Sequence, residues 1–162
     1  MIISERTDKS QIEFENLLNS SHQLIEEKAK LDDYINKHKL NERIVLFGHI
    51  GDYSKLQTLY NDSIFSLSPG YVGLSITQSF GFGVPMLISR NENHSPEIEA
   101  VIEHENALFF ETDDVGDFSL KLQKIYASKN EWIAKREQIV DFCKKNYSVE
   151  AMAQVFINLI KN

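Results

Sequence analysis

Cysteine is nearly absent from this sequence. Cys143 is the single one, so no intramolecular disulfide can form, and no Cys/His spacing suggests a zinc site. Proline and glycine are sparse, three and seven residues in 162, which excludes collagen-like and low-complexity disordered chains. Positive charge is in deficit: 17 lysines and arginines face 24 aspartates and glutamates, for a net charge of -7. Nucleic-acid binders display a clustered basic face, so an electrostatic grip on a phosphate backbone is excluded, while small anionic ligands are not. No apolar run approaches the ~18 residues of a membrane span, and the opening MIISERTD has no basic region followed by an apolar stretch. A cytoplasmic protein in a reducing environment is expected.

What is present is globular. Hydrophobic residues make up 42% and charged residues 25%, enough for a packed core in one domain spanning residues 1–162. Short apolar runs at Met1–Ser4, Arg43–Phe47, Ile64–Ser68, Met86–Ser89 and Ala107–Phe110 alternate with stretches at helical spacing. That alternation predicts an α/β fold, a Rossmann-like open parallel sheet of about five strands flanked by helices. Leu24, Lys28, Leu31 and Ile35 form one helical stripe, widened by Ile25 and Tyr34. The polar stretch Glu5–Ser21 reads as an excursion or a short helix. Asp52 caps a predicted helix running to Tyr60, with Leu56, Leu59 and Tyr60 facing the sheet. Ser75–Phe82 predicts another, stopped by Gly83 and Pro85. Beyond the last strand, Phe118, Leu122 and Ile125, then Trp132, Arg136, Ile139 and Cys143, then Met152, Val155, Phe156 and Leu159 predict a helical C-terminal end covering the sheet. Trp132 and Phe142 are expected in the core.

The stretch richest in chemistry is Ile64–Ser89, IFSLSPGYVGLSITQSFGFGVPMLIS. It reads as strand, glycine-bearing loop, short helix, glycine-proline exit and strand. Gly70 and Gly73 let backbone approach a ligand, and the exposed N–H groups at the start of the Ser75 helix favour an anion. Ligands of open α/β sheets sit at this carboxyl edge. Glycine loops of this kind also serve only to turn the chain.

Taken in order, RIVLFGHI, LQTLYNDSIFSLSPGYVGLSITQSFGFGVPMLIS, PEIEAVIEHENALFFETDD and SVEAMAQVFINLI resemble the C-terminal domain of family-four retaining glycosyltransferases of the GT-B fold. The resemblance covers residues 40–162 and rests on Phe47-Gly48, Leu59-Tyr60, Ser68-Pro69, Gly83-Val84-Pro85, Pro96-Glu97-Ile98 and Asn106. It implies one half of a GT-B fold that holds a UDP- or GDP-sugar donor without a cofactor or metal, the acceptor being held by a separate N-terminal domain. By the same resemblance Gly70, Tyr71, Val72, Gly73, Leu74 and Ser75 face the donor sugar and diphosphate, Gly48 and His49 lie beside the base, Gln78 meets the ribose, and Glu97 is a weaker contact.

Two departures bear on activity. The family carries a glutamate on the loop and another on the helix, where this chain has Gly70 and Gln78. Gln78 can still hydrogen-bond a ribose diol, but Gly70 offers no carboxylate. The PGxVGL form is similar to a polysaccharide-assembly subgroup that also lacks the first glutamate. The family's opening arginine and lysine, which neutralise the leaving diphosphate, cannot be assigned here. No catalytic residue is identified, and little or no turnover is expected of the chain alone, since the resemblance implies an opening strand and helix and an acceptor domain that are not recognised in these residues. The resemblance implies an acceptor-binding partner domain or chain, through which the protein could associate peripherally with a membrane. The alternative is a non-catalytic nucleotide-sugar-binding or partner-docking module.

Outside the loop, the expected roles are structural. Arg90 reads as a solvated side chain beside Asn91 and Glu92, Ser95 as a cap with Pro96 at the first helical position, and Glu111, Asp113 and Asp114 as a helix-initiating turn. His94 lies where the family contacts sugar and diphosphate.

Overall fold

Alternation decides the first elements. In Gln11–Glu15 the apolar Ile12 and Phe14 alternate with Gln11, Glu13 and Glu15, a period of two that suits a strand. A computed structural model describes residues 2–4, 11–15 and 21–161, with side chains described for residues 28–158 and Ile160. They fall into two compact units, Met1–Ser63 and Ile64–Asn162.

The first unit contains β1 (Ile2–Ser4), β2 (Gln11–Glu15), α1 (Ser21–Lys37), β3 (Ile44–Gly48) and α2 (Tyr53–Asn61). β2 pairs antiparallel with β1, Ile3 opposite Ile12, and parallel with β3, Ile12 opposite Ile44. The expected excursion or short helix is therefore corrected to a strand between two others, and the pairing in this unit is mixed rather than wholly parallel. Residues 5–10 and 16–20 of that stretch lie outside the described residues.

Of the stripe on α1, the side chains of Leu24 and Ile25 lie outside the described residues, and the rest is divided. Ile35 is buried, but Leu31 and Tyr34 are exposed, Tyr34 lying against the His38 ring instead. On α2, Leu56 and Tyr60 are buried and Leu59 is half-buried. Asp52 caps this helix, accepting from the N–H groups of Ser54 (2.9 Å) and Lys55 (3.4 Å). The Ser54 hydroxyl also donates to it (2.7 Å), and this bond, followed by the two from N–H groups, holds its carboxyl below the usual carboxylate range.

The second unit runs β4 (Ser63–Ser68), α3 (Ser75–Gly81), β5 (Met86–Ser89), a 3-10 turn at Pro96–Ala100, β6 (Ala107–Phe110), α4 (Val115–Ala127), α5 (Lys129–Ala134), α6 (Arg136–Tyr147) and α7 (Val149–Lys161). β4, β5 and β6 are parallel, with Leu67 opposite Leu87 and Leu87 opposite Leu108. Every residue of β4 and β5 is buried, as expected of parallel strands covered on both faces. Val72, Ile76, Phe80, Met86, Ile88, Ala107, Ile139 and Cys143 form one core cluster. Elsewhere in the unit Phe65 meets the buried Trp132 edge-on, and Phe110 meets Phe118. Phe142 is half-buried beside Tyr147.

Two hydroxyls in this core are bonded to one another. The buried Ser79 hydroxyl donates to the Val84 carbonyl (2.7 Å), so its other contact, with Ser66 Oγ at 2.7 Å, is a bond donated by Ser66. Both hydroxyl protons are thereby matched, which removes much of the cost of burying them. The network ties β4, α3 and the exit to β5 together.

That exit needs glycine. Gly83 has φ of +74°, and a Cβ there would stand 2.8 Å from the Arg136 carbonyl oxygen. α7 differs from its expected role: Met152, Val155 and Phe156 are exposed rather than covering the sheet, Phe156 at 67% and Ile160 at 84%, while the Leu159 side chain lies outside the described residues. Periodicity gives α7 an apolar face, but its contacts are with α6. Among the described residues no helix is long and apolar enough to cross a membrane.

Gly83→Ala should destabilise the chain by at least about 2 kcal/mol, through a left-handed backbone and a steric overlap. Gly81→Ala, where a Cβ meets nothing within 4 Å, should be neutral or stabilising by up to ~1 kcal/mol. Urea denaturation of the two variants side by side checks both, and equal midpoints would contradict the packing described.

Candidate functional site

The loop between β4 and α3 is held from beneath by Ser68, whose hydroxyl donates to the carbonyls of Gly70 (3.3 Å) and Tyr71 (3.2 Å). It is held from the side by the loop that follows β5. Val72 donates its N–H to His94 Nδ1 (3.3 Å) and accepts from the Ser95 N–H (3.1 Å), while its side chain is buried in the core. Neither polar group of the Val72 backbone is left over for a ligand, so this residue shapes the loop.

The other expected residues present themselves differently. Tyr71 and Leu74 are exposed at 61% and 74%, and nothing lies within 4 Å of a Cβ built on Gly70. A Cβ on Gly73 would come within 3.1 Å of Ser95 Oγ, so the two loops approach closely there. Among the described residues, the N–H groups of Gly73, Leu74 and Ser75 have no hydrogen-bond acceptor in the protein, and Leu74 has no side chain with which to cap them. Ser75 Oγ is enclosed and has no hydrogen-bond partner. Gln78, four residues beyond Leu74 and bonded to its carbonyl through the main chain, is exposed.

Glu97 reaches the same region from the 3-10 turn. The Ser95 hydroxyl donates to its carboxylate, and this bond, assisted by its own backbone N–H, holds the Glu97 carboxyl below the usual range. A carboxyl lowered in the folded state contributes stability above its unfolded pKa, which is lost as the pH falls through the lowered value. Ser95 occupies the cap position with Pro96 at the first helical position, as expected, but its hydroxyl goes to Glu97 and makes no capping bond.

Arg90, at the end of β5, is paired with Glu103 (3.0 Å) and Glu111 (3.1 Å) and lies over the Phe109 ring. It is not the simply solvated side chain the sequence suggests, and its charge is already met. Asp114 caps α4 through the Asp117 N–H (2.9 Å), matching the helix-initiating reading. No group of His, Cys, Asp or Glu among the described residues could hold a metal ion.

Gly70, Tyr71, Val72, Gly73, Leu74, Ser75, Gln78 and Glu97 all belong to the Ile64–Asn162 unit, on or beside the loops at the C-terminal ends of β4 and β5. Gly48 and His49 belong to the Met1–Ser63 unit, where Gly48 ends β3 with φ of +68° and His49 is exposed. What the sequence did not disclose is the role of His94. Its partner lies 22 residues away, and no spacing rule links a strap of that length.

No known protein-family profile and no curated protein sequence matches this chain. Solved structures do. The chain is similar to the sucrose-phosphate synthase of Thermosynechococcus elongatus, with a TM-score of 0.73 at 18% identity over 93% of this chain and 39% of that one. It is similar to a glycosyltransferase from Rickettsia africae, with a TM-score of 0.73 at 14% identity and the same two coverages, 93% and 39%. A third match is Anabaena HepE, solved in complex with UDP, with a TM-score of 0.67 at 12% identity over 86% of this chain and 38% of that one. The chain thus spans about two fifths of the length of these structures. With its parallel β4–β6 sheet, flanking helices and helical C-terminal end, it has the fold of one half of a GT-B glycosyltransferase.

Proposed function

We propose that this chain is the donor-binding half of a retaining glycosyltransferase of polysaccharide assembly, taking a UDP-sugar in the cytoplasm and acting with an acceptor-binding domain or chain. The observation that carries the reading is the 73–75 run of main-chain N–H groups without protein acceptors, beside two glycines, on a fold shared with glycosyltransferases. Such groups suit a diphosphate, because main-chain donors are fixed in direction and cost little to reorganise when negative charge arrives. UDP is the nucleotide present in the Anabaena structure, which favours uridine over guanosine.

Charge considerations limit what the chain does alone. Gly70 carries no carboxylate for the sugar, and Arg90 is engaged by two carboxylates rather than free to meet a leaving phosphate. These two facts favour binding over turnover in the isolated chain. They equally support the second reading, a nucleotide-sugar-binding module without catalysis. Mixing with an acceptor-binding chain separates the two, since restored sugar transfer requires the enzyme reading.

NMR titration with UDP, GDP and UDP-sugars should shift the amides of residues 70–78, with uridine compounds binding more tightly. No binding at up to about 1 mM, or shifts confined to other residues, would overturn the donor-site reading. Gln78→Ala should weaken UDP binding by roughly 1 kcal/mol, about fivefold, if its amide holds the ribose. Unchanged affinity in calorimetry removes Gln78 from the site.

A further inference from the structure

The loops that follow β4 and β5 are joined through the main chain of one residue, Val72. His94 Nδ1 accepts from the Val72 N–H at 3.3 Å, and Nε2 of the same ring lies 2.8 Å from the Ser89 carbonyl oxygen. A carbonyl can only accept, so Nε2 carries the proton and donates, while Nδ1 is bare. The ring is therefore neutral and in one tautomer. It bridges the last residue of β5 to the centre of the neighbouring loop, and the Ser95 N–H closes the same connection on the Val72 carbonyl at 3.1 Å.

An imidazolium donates from both nitrogens and accepts at neither. Protonation of His94 would set one N–H against another at Val72, replacing an attraction with a repulsion. Histidine is the side chain whose charge ordinarily changes near neutral pH.

We propose that His94 is a positioning residue, a strap that shapes the 70–75 loop for its anionic ligand while the ring is neutral and releases the loop when the ring takes up a proton. Its consequence for ligand binding rests on the donor-site reading; the strap itself does not. Main-chain groups, not carboxylates, occupy both ring nitrogens. The titratable and charged groups on the surrounding elements have other engagements. Glu92, on the same loop, accepts the His94 N–H through its carbonyl (2.9 Å), and its carboxylate takes the Ser89 hydroxyl (3.5 Å). Glu97, on the 3-10 turn, takes the Ser95 hydroxyl. Arg90 is paired with Glu103 and Glu111, and Tyr71 is the one titratable side chain of the β4–α3 loop.

The test is hydrogen exchange of the Val72 amide in the 162-residue chain without ligand, compared among wild type, His94→Asn and His94→Ala at the same pH. Asparagine offers an amide oxygen in place of Nδ1 and does not titrate. At about pH 7.5, wild type and His94→Asn should protect Val72 alike, and His94→Ala should exchange about tenfold faster. At about pH 5.5, wild type should fall to the His94→Ala level while His94→Asn keeps its protection. Equal protection of wild type and His94→Asn in acid, or of wild type and His94→Ala at the higher pH, would overturn the strap. Should His94→Ala fail to fold, wild type against His94→Asn in acid still decides the matter.

UDP-glucose, whose diphosphate takes up no proton in this range, is titrated alongside by calorimetry. Its affinity should follow the same order as Val72 protection. If exchange shows release in acid while UDP-glucose binds wild type equally at both values, the link between strap and ligand is overturned. If exchange behaves as expected and UDP-glucose binds none of the three proteins, the strap stands and the donor-site reading fails.

Discussion

The candidate loop depends on how one residue, Val72, is held. The Val72 side chain is buried in the core, its N–H and carbonyl are taken by His94 and Ser95, and the residues on either side inherit their directions from it. A six-residue loop with two glycines has ample freedom to collapse onto its own unbonded N–H groups. Here it does not, because its midpoint is fixed in three directions at once. Among the described residues, the N–H groups of Gly73, Leu74 and Ser75 are left without acceptors. An anion would find them already oriented, which is the condition under which main-chain donors are most effective.

Beneath that loop the same logic of paired polar groups recurs. Ser66, Ser79 and Val84 form a closed set inside an otherwise apolar layer, and Ser89 pairs with Thr112 at 2.7 Å beside the strap. Asn106 does the same at the far end of the unit, joining the Ile102 N–H (2.7 Å) to the Ala100 carbonyl (2.9 Å). These bonds fix loop ends that apolar contact alone would leave free to slide, because packing is non-directional and hydrogen bonds are not. The acidic surface is likewise organised: Glu103 and Glu111 converge on Arg90, which removes a cation from the ligand edge.

Legibility in the sequence followed the range of the interaction. Met86–Ser89 and Ala107–Phe110 can be read to the residue, since each is a short apolar run with polar or turn-forming neighbours. Asp52, Gly83 and Pro96 are equally legible, because a cap, a left-handed exit and a first-turn proline are local chemistry. β2 is obscured by its glutamates, which make a genuine period of two look like polar filler. The exposure of α7 is illegible for another reason: periodicity says which face is apolar and nothing about what meets it. The loop at residues 69–74 announces itself by its glycines, whereas the His94 strap, the bond that shapes it, joins residues far apart in the chain.

The division of labour within the loop has an evolutionary consequence. Ser68, Val72, His94 and Ser95 face inward and maintain its form, while Gly70, Tyr71, Leu74 and Gln78 face outward with few or no contacts to lose. Surface substitutions away from special contacts carry little folding penalty, so the outward row can change without first compensating the scaffold. The contacts that maintain the loop and the side chains it presents to solvent are thus carried by separate sets of residues. A lineage carrying this framework could exchange those outward side chains by changes that measurements of stability would scarcely register.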